Sequence, residues 1–192
     1  MLSEKSVKKF VFNTMLLDDD FDQLETRGIH VGRAPKTATV VRVFDGDFSP
    51  RLIGEAENMA EVFKAFYCIE NAARELITDR LAERYKANWW NEKVAKTIRD
   101  KVTSLKAKEA KDTYHVARST TDIGYTLFGA LSKIIVANWD DFSDLFPDQH
   151  WVSSRFNDLE KSRNIIMHTG VLPQDEIDRV EQISRDWIRQ VG

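Results

Sequence analysis

The chain has 192 residues, 42% of them hydrophobic, and a formal net charge of −3. Its length suits one domain with a sizeable core and room for an appendage, and its charge excludes a globally basic protein, so any nucleic-acid contact must come from a local patch. The single cysteine, Cys68, excludes an intrachain disulfide, no apolar run is long enough to cross a bilayer, and the opening MLSEKSVKKF lacks the apolar core of a signal peptide, so a reducing cytoplasm is the expected compartment.

Residues 1–54 read as an arm of short strands and loops. Phe10-Val11-Phe12 and the run from Thr37 to Phe44 are β-branched and aromatic, and turn-like pieces such as Asp45-Gly46-Asp47 separate them. From about Glu55 the period becomes helical, and residues 55–192 are expected to form an all-α, up-and-down bundle of four or five helices. In the first helix Met59, Val62, Phe63, Phe66, Ala73, Ile77 and Leu81 fall on one stripe. A second helix is expected over 91–111, with Val94, Ile98, Val102 and Leu105 inward. A loop, AKDTYHVARSTT, follows, and a third helix is expected over 122–138. Pro147 reads as the start of a helix that runs to His168, with Gly170 as its C-cap. Pro173 opens the last helix, whose first turn carries Asp175 and Glu176, where the helix dipole favours acids.

Two charged residues stand where apolar ones belong. On the late helix Val152, Phe156, Leu159, Arg163 and Ile166 follow steps of four and three, which puts Arg163 on the buried stripe. A guanidinium keeps its charge, so there it requires a carboxylate or a phosphate. Asn164 and His168 share a neighbouring face, about 140° from Arg163 in the case of His168. Alone, His168 would be read as a histidine interacting with a helix C-terminus. Glu70 interrupts the stripe of the first helix. Its partner is either Arg74, one turn on, or the motif itself. Facing apolar stripes bring such residues together, which predicts Glu70 within hydrogen-bonding distance of Arg163 or His168.

Arg163-Asn164-Ile165-Ile166-Met167-His168 resembles the R-N-x-x-x-H signature of HEPN domains, helical modules common in RNA-cleaving toxins and phage-defence proteins. The stretch YCIENAARELITDRLAERYKANWW, with Glu70, Arg74 and the Trp89-Trp90 pair, is similar to the opening helix of the Swt-type branch. GYTLFGALSKIIVANWDDFSDLF and LEKSRNIIMHTGVLPQDEIDRV are similar to its middle and motif-bearing helices. The resemblance covers about Glu55 to Gln190 and implies a metal-independent, cofactor-free endoribonuclease that acts as a homodimer and leaves a 2′,3′-cyclic phosphate. In it Arg163, Asn164 and His168 are the catalytic residues, and Glu70 and Arg74 support them. RNA brings its own 2′-hydroxyl nucleophile, so the protein need supply only a proton carrier and a cation. One histidine per motif is meagre for both acid and base, and a second chain would supply another.

Between Glu92 and Lys111 seven Lys/Arg face three acids. Such a run is either a solvated helix face or a surface that tracks RNA, with Lys93, Lys96, Arg99 and Lys101 as the phosphate-binding candidates. RNA and a second copy are the expected partners, with an antitoxin or regulatory protein to restrain a toxic nuclease. Two rivals stand beside this reading. One is a non-catalytic HEPN module that binds RNA, a nucleotide or a protein. The other is a structural subunit in which Arg163 and Glu70 form a buried ion pair, a poor source of stability compared with apolar side chains.

Overall fold

A computed structural model describes residues 48–112 and 114–191. The expected strands at Phe10–Phe12 and Thr37–Phe44 lie outside the described residues. The described residues form α-helices and short 3-10 turns, with no strand among them, so this part of the chain is all-α as expected.

The first helix, α1 (Pro50–Tyr85), begins before the expected Glu55. Ser49 caps it by accepting a hydrogen bond from the Leu52 N–H, and Pro50 stands at the first helical position, where its missing N–H costs nothing. Its buried residues are Met59, Val62, Phe66, Ile69, Glu70, Ala73, Ile77 and Leu81. Phe63, expected among them, is exposed. It lies one turn before Tyr67 on a cavity wall rather than on the packed stripe.

The helix expected over 91–111 is two helices, α2 (Trp89–Lys93) and α3 (Lys96–Glu109). The spacing of Val94, Ile98 and Val102 suits one continuous helix, so periodicity alone does not show the break. The break is made by Asn138, whose side-chain amide donates to the Lys93 carbonyl at 3.0 Å. Val94 is extended at that point and buries its side chain.

The helix expected over 122–138 also divides. A 3-10 turn (Ile123–Tyr125) leads through extended Thr126 and Leu127 into α4 (Phe128–Ala137). The Thr126 carbonyl accepts from the Arg74 guanidinium at 2.5 Å, and the Gly129 N–H at the start of α4 donates to the Glu160 carboxylate at 2.6 Å. A carboxylate on the unsatisfied N–H groups of a helix start is favourable in both hydrogen bonding and dipole. At Gly129 a Cβ would collide with that carboxylate, so a larger residue there would displace the Glu160 side chain from the helix start.

Helix α5 (Gln149–Met167) starts just after the expected Pro147. Asp148 caps it, accepting from the Trp151 N–H at 2.7 Å. Helix α6 (Gln174–Val191) follows Pro173 as expected. Helix α4 is apolar around most of its surface (Phe128, Leu131, Ile134 and Ile135 are all buried) and therefore occupies the centre, packed along α5 and against α1. Phe128, Phe156, Trp187 and Phe146 link through edge-to-face and tilted ring contacts at 5.5–5.7 Å, tying α4, α5 and α6 together.

Candidate functional site

The site forms where the end of α5 meets the middle of α1. Val152, Phe156 and Leu159 continue down the buried stripe of α5 as expected. The next inward place belongs to Ser162, not Arg163. The Ser162 hydroxyl donates to the Glu176 carboxylate at 3.0 Å, which ties α5 to the first turn of α6. Arg163 sits beside this position and is half-buried.

Arg163 opens onto a cavity of about 290 Å³. The α1 wall contributes Phe63, Tyr67, Glu70, Asn71 and Arg74, and the segment before α4 contributes Arg118 and Tyr125. Three guanidinium groups thus share one small space with exposed aromatic rings.

The expected bond from Glu70 to Arg163 or His168 is not made. Glu70 pairs instead with Arg74, one turn on, and both side chains are nearly enclosed, at 9% and 16% exposure. Helical i, i+4 geometry brings these two together before any neighbouring helix is reached. Burial pushes the Glu70 carboxyl above its usual range, opposed first by the charge of Arg74 and then by that of Arg163, so the motif arginine acts on Glu70 through its field. Arg74 also donates to the Asn71 side chain at 2.9 Å and to the Thr126 carbonyl. Its geometry is held from three sides. Arg163, by contrast, has no ion pair among the described residues, and its one hydrogen bond there goes to the Asn164 side-chain oxygen at 3.4 Å. That leaves most of its donors for a ligand.

His168 closes α5. The N–H of Thr169 bonds the Ile166 carbonyl at 2.9 Å and that of Gly170 the Ile165 carbonyl at 2.8 Å, the paired bonds of a Schellman motif. The left-handed residue is Thr169 (φ 62°) rather than the expected Gly170. Gly170 is required for a different reason: a Cβ there would strike the Ile165 side chain and carbonyl. A β-branched residue in the left-handed region is strained, and here the strain sits next to the motif histidine. His168 and Asn164 are exposed, and the His168 ring bonds no described residue. Arg163 and Asn164 therefore come together, while His168 stays outside the cavity that Arg163 lines.

The four expected phosphate ligands are scattered. Lys93 stands 4.0 Å over the Tyr85 ring, Lys96 pairs with Asp100 at 2.7 Å, and Arg99 donates to the Val94 carbonyl at 3.1 Å. Only Lys101 reaches the site's surroundings. It lines a cavity of about 460 Å³ with Lys133 and Arg118, and this cavity shares Arg118, Tyr125 and Leu127 with the central one. Arg118, Tyr67 and Lys133 were missed from sequence. Arg118 belongs to an aperiodic loop, and only its place beside the Tyr125 ring (5.3 Å) and the Glu109 carboxylate (2.5 Å) brings it to the cavity.

Among the described residues no three His, Cys, Asp or Glu side chains gather as a metal site, and no helix is long and apolar enough to cross a membrane. No curated protein and no solved structure matches the chain. The Swt1-like HEPN sequence profile does match it, over residues 64–192, an interval that takes in both Glu70-Arg74 and the whole Arg163–His168 motif. With well over half its length matched, this chain belongs to the Swt1-like HEPN family.

Proposed function

We propose that the protein is a metal-independent endoribonuclease. One observation carries this reading: Arg163, half-buried and without an ion pair among the described residues, faces a cavity that already holds two further guanidinium groups, little more than a turn of helix before an exposed histidine. Arg74 and Arg118 are offset by Glu70 and Glu109, so among the described residues the uncompensated charge in the cavity is that of Arg163, which suits a phosphodiester. Arg163 binds the non-bridging oxygens in a fork and stabilises the charge that builds on them. Asn164 orients the guanidinium. The substrate's 2′-hydroxyl attacks phosphorus, the bond to the 5′-oxygen of the next nucleotide breaks, and the products are a 2′,3′-cyclic phosphate and a 5′-hydroxyl. One imidazole takes the 2′-hydroxyl proton and a second, protonated, gives its proton to the departing oxygen.

The second imidazole comes from a second copy. Ile165, Met167 and Val171 flank the motif at 43%, 47% and 52% exposure, an apolar seam on which another protomer's motif would pack. A toxin or phage-defence role, an antitoxin or other restraining protein, and a cytoplasmic site of action follow from the likeness to RNA-cleaving HEPN proteins. A non-catalytic RNA-binding module is the second reading, favoured by the placement of His168 outside the cavity that Arg163 lines.

The test is incubation of the pure protein with total RNA and tRNA in EDTA, beside an Arg163→Ala/His168→Ala double variant. Cleavage by the parent alone, with cyclic-phosphate ends, is expected. Cleavage that EDTA stops would overturn the mechanism, and RNA binding without cleavage would favour the module. Light scattering at micromolar concentration tests the dimer, and a fully active monomer would remove the shared site.

A further inference from the structure

A third cavity, of about 510 Å³, adjoins the central one and shares Asn71, Arg74 and Gly124 with it. Its chemistry is different. Trp89 and Trp90, half-buried and packed edge to face at 5.5 Å, supply an aromatic wall. Opposite polarity comes from α1, where Glu75 and Asp79 lie one turn apart with no ion pair among the described residues. Asp122, also in the lining, is already paired with Lys106. Gly124 stands at the junction, with the Ser119 side chain so close that any Cβ would collide with it, so a larger residue there would disturb the wall between the two cavities.

Free carboxylates repel phosphate, so the backbone of a bound strand belongs in the arginine cavity and not here. A flat ring with N–H donors satisfies both walls: one indole stacks on its face, the other, perpendicular to the first, meets its rim, and the carboxylates accept from its edge. Among the RNA bases, guanine alone presents two adjacent donors, N1–H and the 2-amino group, to the two oxygens of one carboxylate. Adenine and cytosine pair a single amine with a neighbouring acceptor that a carboxylate repels, and uracil sets one N–H between two carbonyls. The register along α1 agrees. Glu70 and Arg74 face the phosphate cavity, and Glu75 and Asp79 lie five residues beyond them in turn, about 7.5 Å along the helix, the scale of a ribose between phosphate and base.

Resting on the nuclease reading above, we propose that this cavity is a guanine-selective subsite. The Trp89–Trp90 pair holds the base, one indole on its face and the other at its rim, and Glu75 and Asp79 read its pairing edge, so that cleavage falls beside guanosine.

The test measures the binding of non-cleavable 2′-deoxy pentamers that differ only at a central G, inosine, A, C or U, and in parallel the cleavage sites in the matching RNAs. The full chain is used, with circular dichroism as the folding control. At least tenfold tighter binding of the G pentamer than of the A, C or U pentamer is expected, with inosine, which lacks the 2-amino group, falling between. Glu75→Gln/Asp79→Asn, nearly isosteric, should bring the ratio of G to A affinity close to one, whereas Trp89→Ala should weaken all five. Equal affinity for all bases, or a G preference that survives Glu75→Gln/Asp79→Asn, overturns the subsite even if the RNAs are cut. Selective G binding without cleavage leaves the subsite standing and removes the nuclease. Neither binding nor cleavage removes both.

Discussion

Two arginines reach the same cavity from opposite sides, and the bundle treats them differently. Arg74 on α1 is enclosed and bonded to Glu70, Asn71 and the Thr126 carbonyl. Arg163 on α5 is half-exposed and, among the described residues, bonded only to its neighbour Asn164. A guanidinium whose terminal nitrogens are bonded inside the protein positions other groups, and Arg74 does this by holding open the break before α4. A guanidinium left with unmet donors at a cavity mouth is available to an anion. The contrast assigns Arg74 to architecture and leaves Arg163 open to the substrate proposed above.

Variants at the two ends should therefore diverge. The largest effect belongs to the α5 end. Arg163→Ala should slow RNA cleavage by roughly 10²–10³-fold and His168→Ala by roughly 10²–10⁴-fold, both with an unchanged urea midpoint, since neither side chain is closed into the core. An unfolded Arg163→Ala protein would erase the contrast.

On the α1 side, Glu70→Ala should destabilise the fold by about 3 kcal/mol, because it strands the enclosed Arg74 charge. A melting temperature equal to that of the parent would show that the pair is solvated. Glu70→Gln sharpens the point through pH. The folded state holds the Glu70 proton more tightly than the unfolded chain does, so the stability that Glu70 contributes through that proton is complete below 4.5 and is lost as pH rises through the raised folded value. The stability of the parent relative to Glu70→Gln should accordingly fall from below 4.5 towards neutrality. A difference independent of pH would mean that the carboxylate is not desolvated.

Thr169→Gly, which relieves the left-handed strain beside His168, should stabilise the protein by about 1 kcal/mol after the entropy cost of glycine. The thermal midpoint measures it, and a drop would show that the Thr169 side chain supports the turn. The smallest effects separate the cations. Lys101→Ala with Lys133→Ala should lower the salt dependence of RNA binding by about 0.7 of a unit for each phosphate no longer neutralised. Lys96→Ala, which removes only an exposed i, i+4 pair, should change stability by about 0.3–0.5 kcal/mol and leave the salt slope alone.

The helical periods of α1, α5 and α6, the proline that precedes α6 and the R-N-x-x-x-H motif were all legible in the chain itself, because each depends on residues within a turn or two of one another. The same locality explains the Glu70–Arg74 pair, which was read as one of two alternatives and is the nearer of them. What local pattern could not show was where a continuous apolar stripe is interrupted. Asn138 takes the Lys93 carbonyl across 45 positions of sequence, and Arg74 takes that of Thr126 across 52. Each of these bonds withdraws a backbone acceptor that a continuous helix would have used, and no periodicity on either side of the break records it.

The site follows the same division. That Arg163, Asn164 and His168 are present, and that they crowd the last turn of one helix, was determined by the sequence alone, since 3.6 residues per turn sets their relative directions. Which cations surround Arg163 was decided by the tertiary structure. Arg118 reaches the cavity from an aperiodic loop beside Tyr125, while Lys93, Lys96 and Arg99 turn to a tyrosine ring, an aspartate and a backbone carbonyl. A long charged side chain takes the partner that packing places within its reach, and nearness along the chain does not specify which partner that will be.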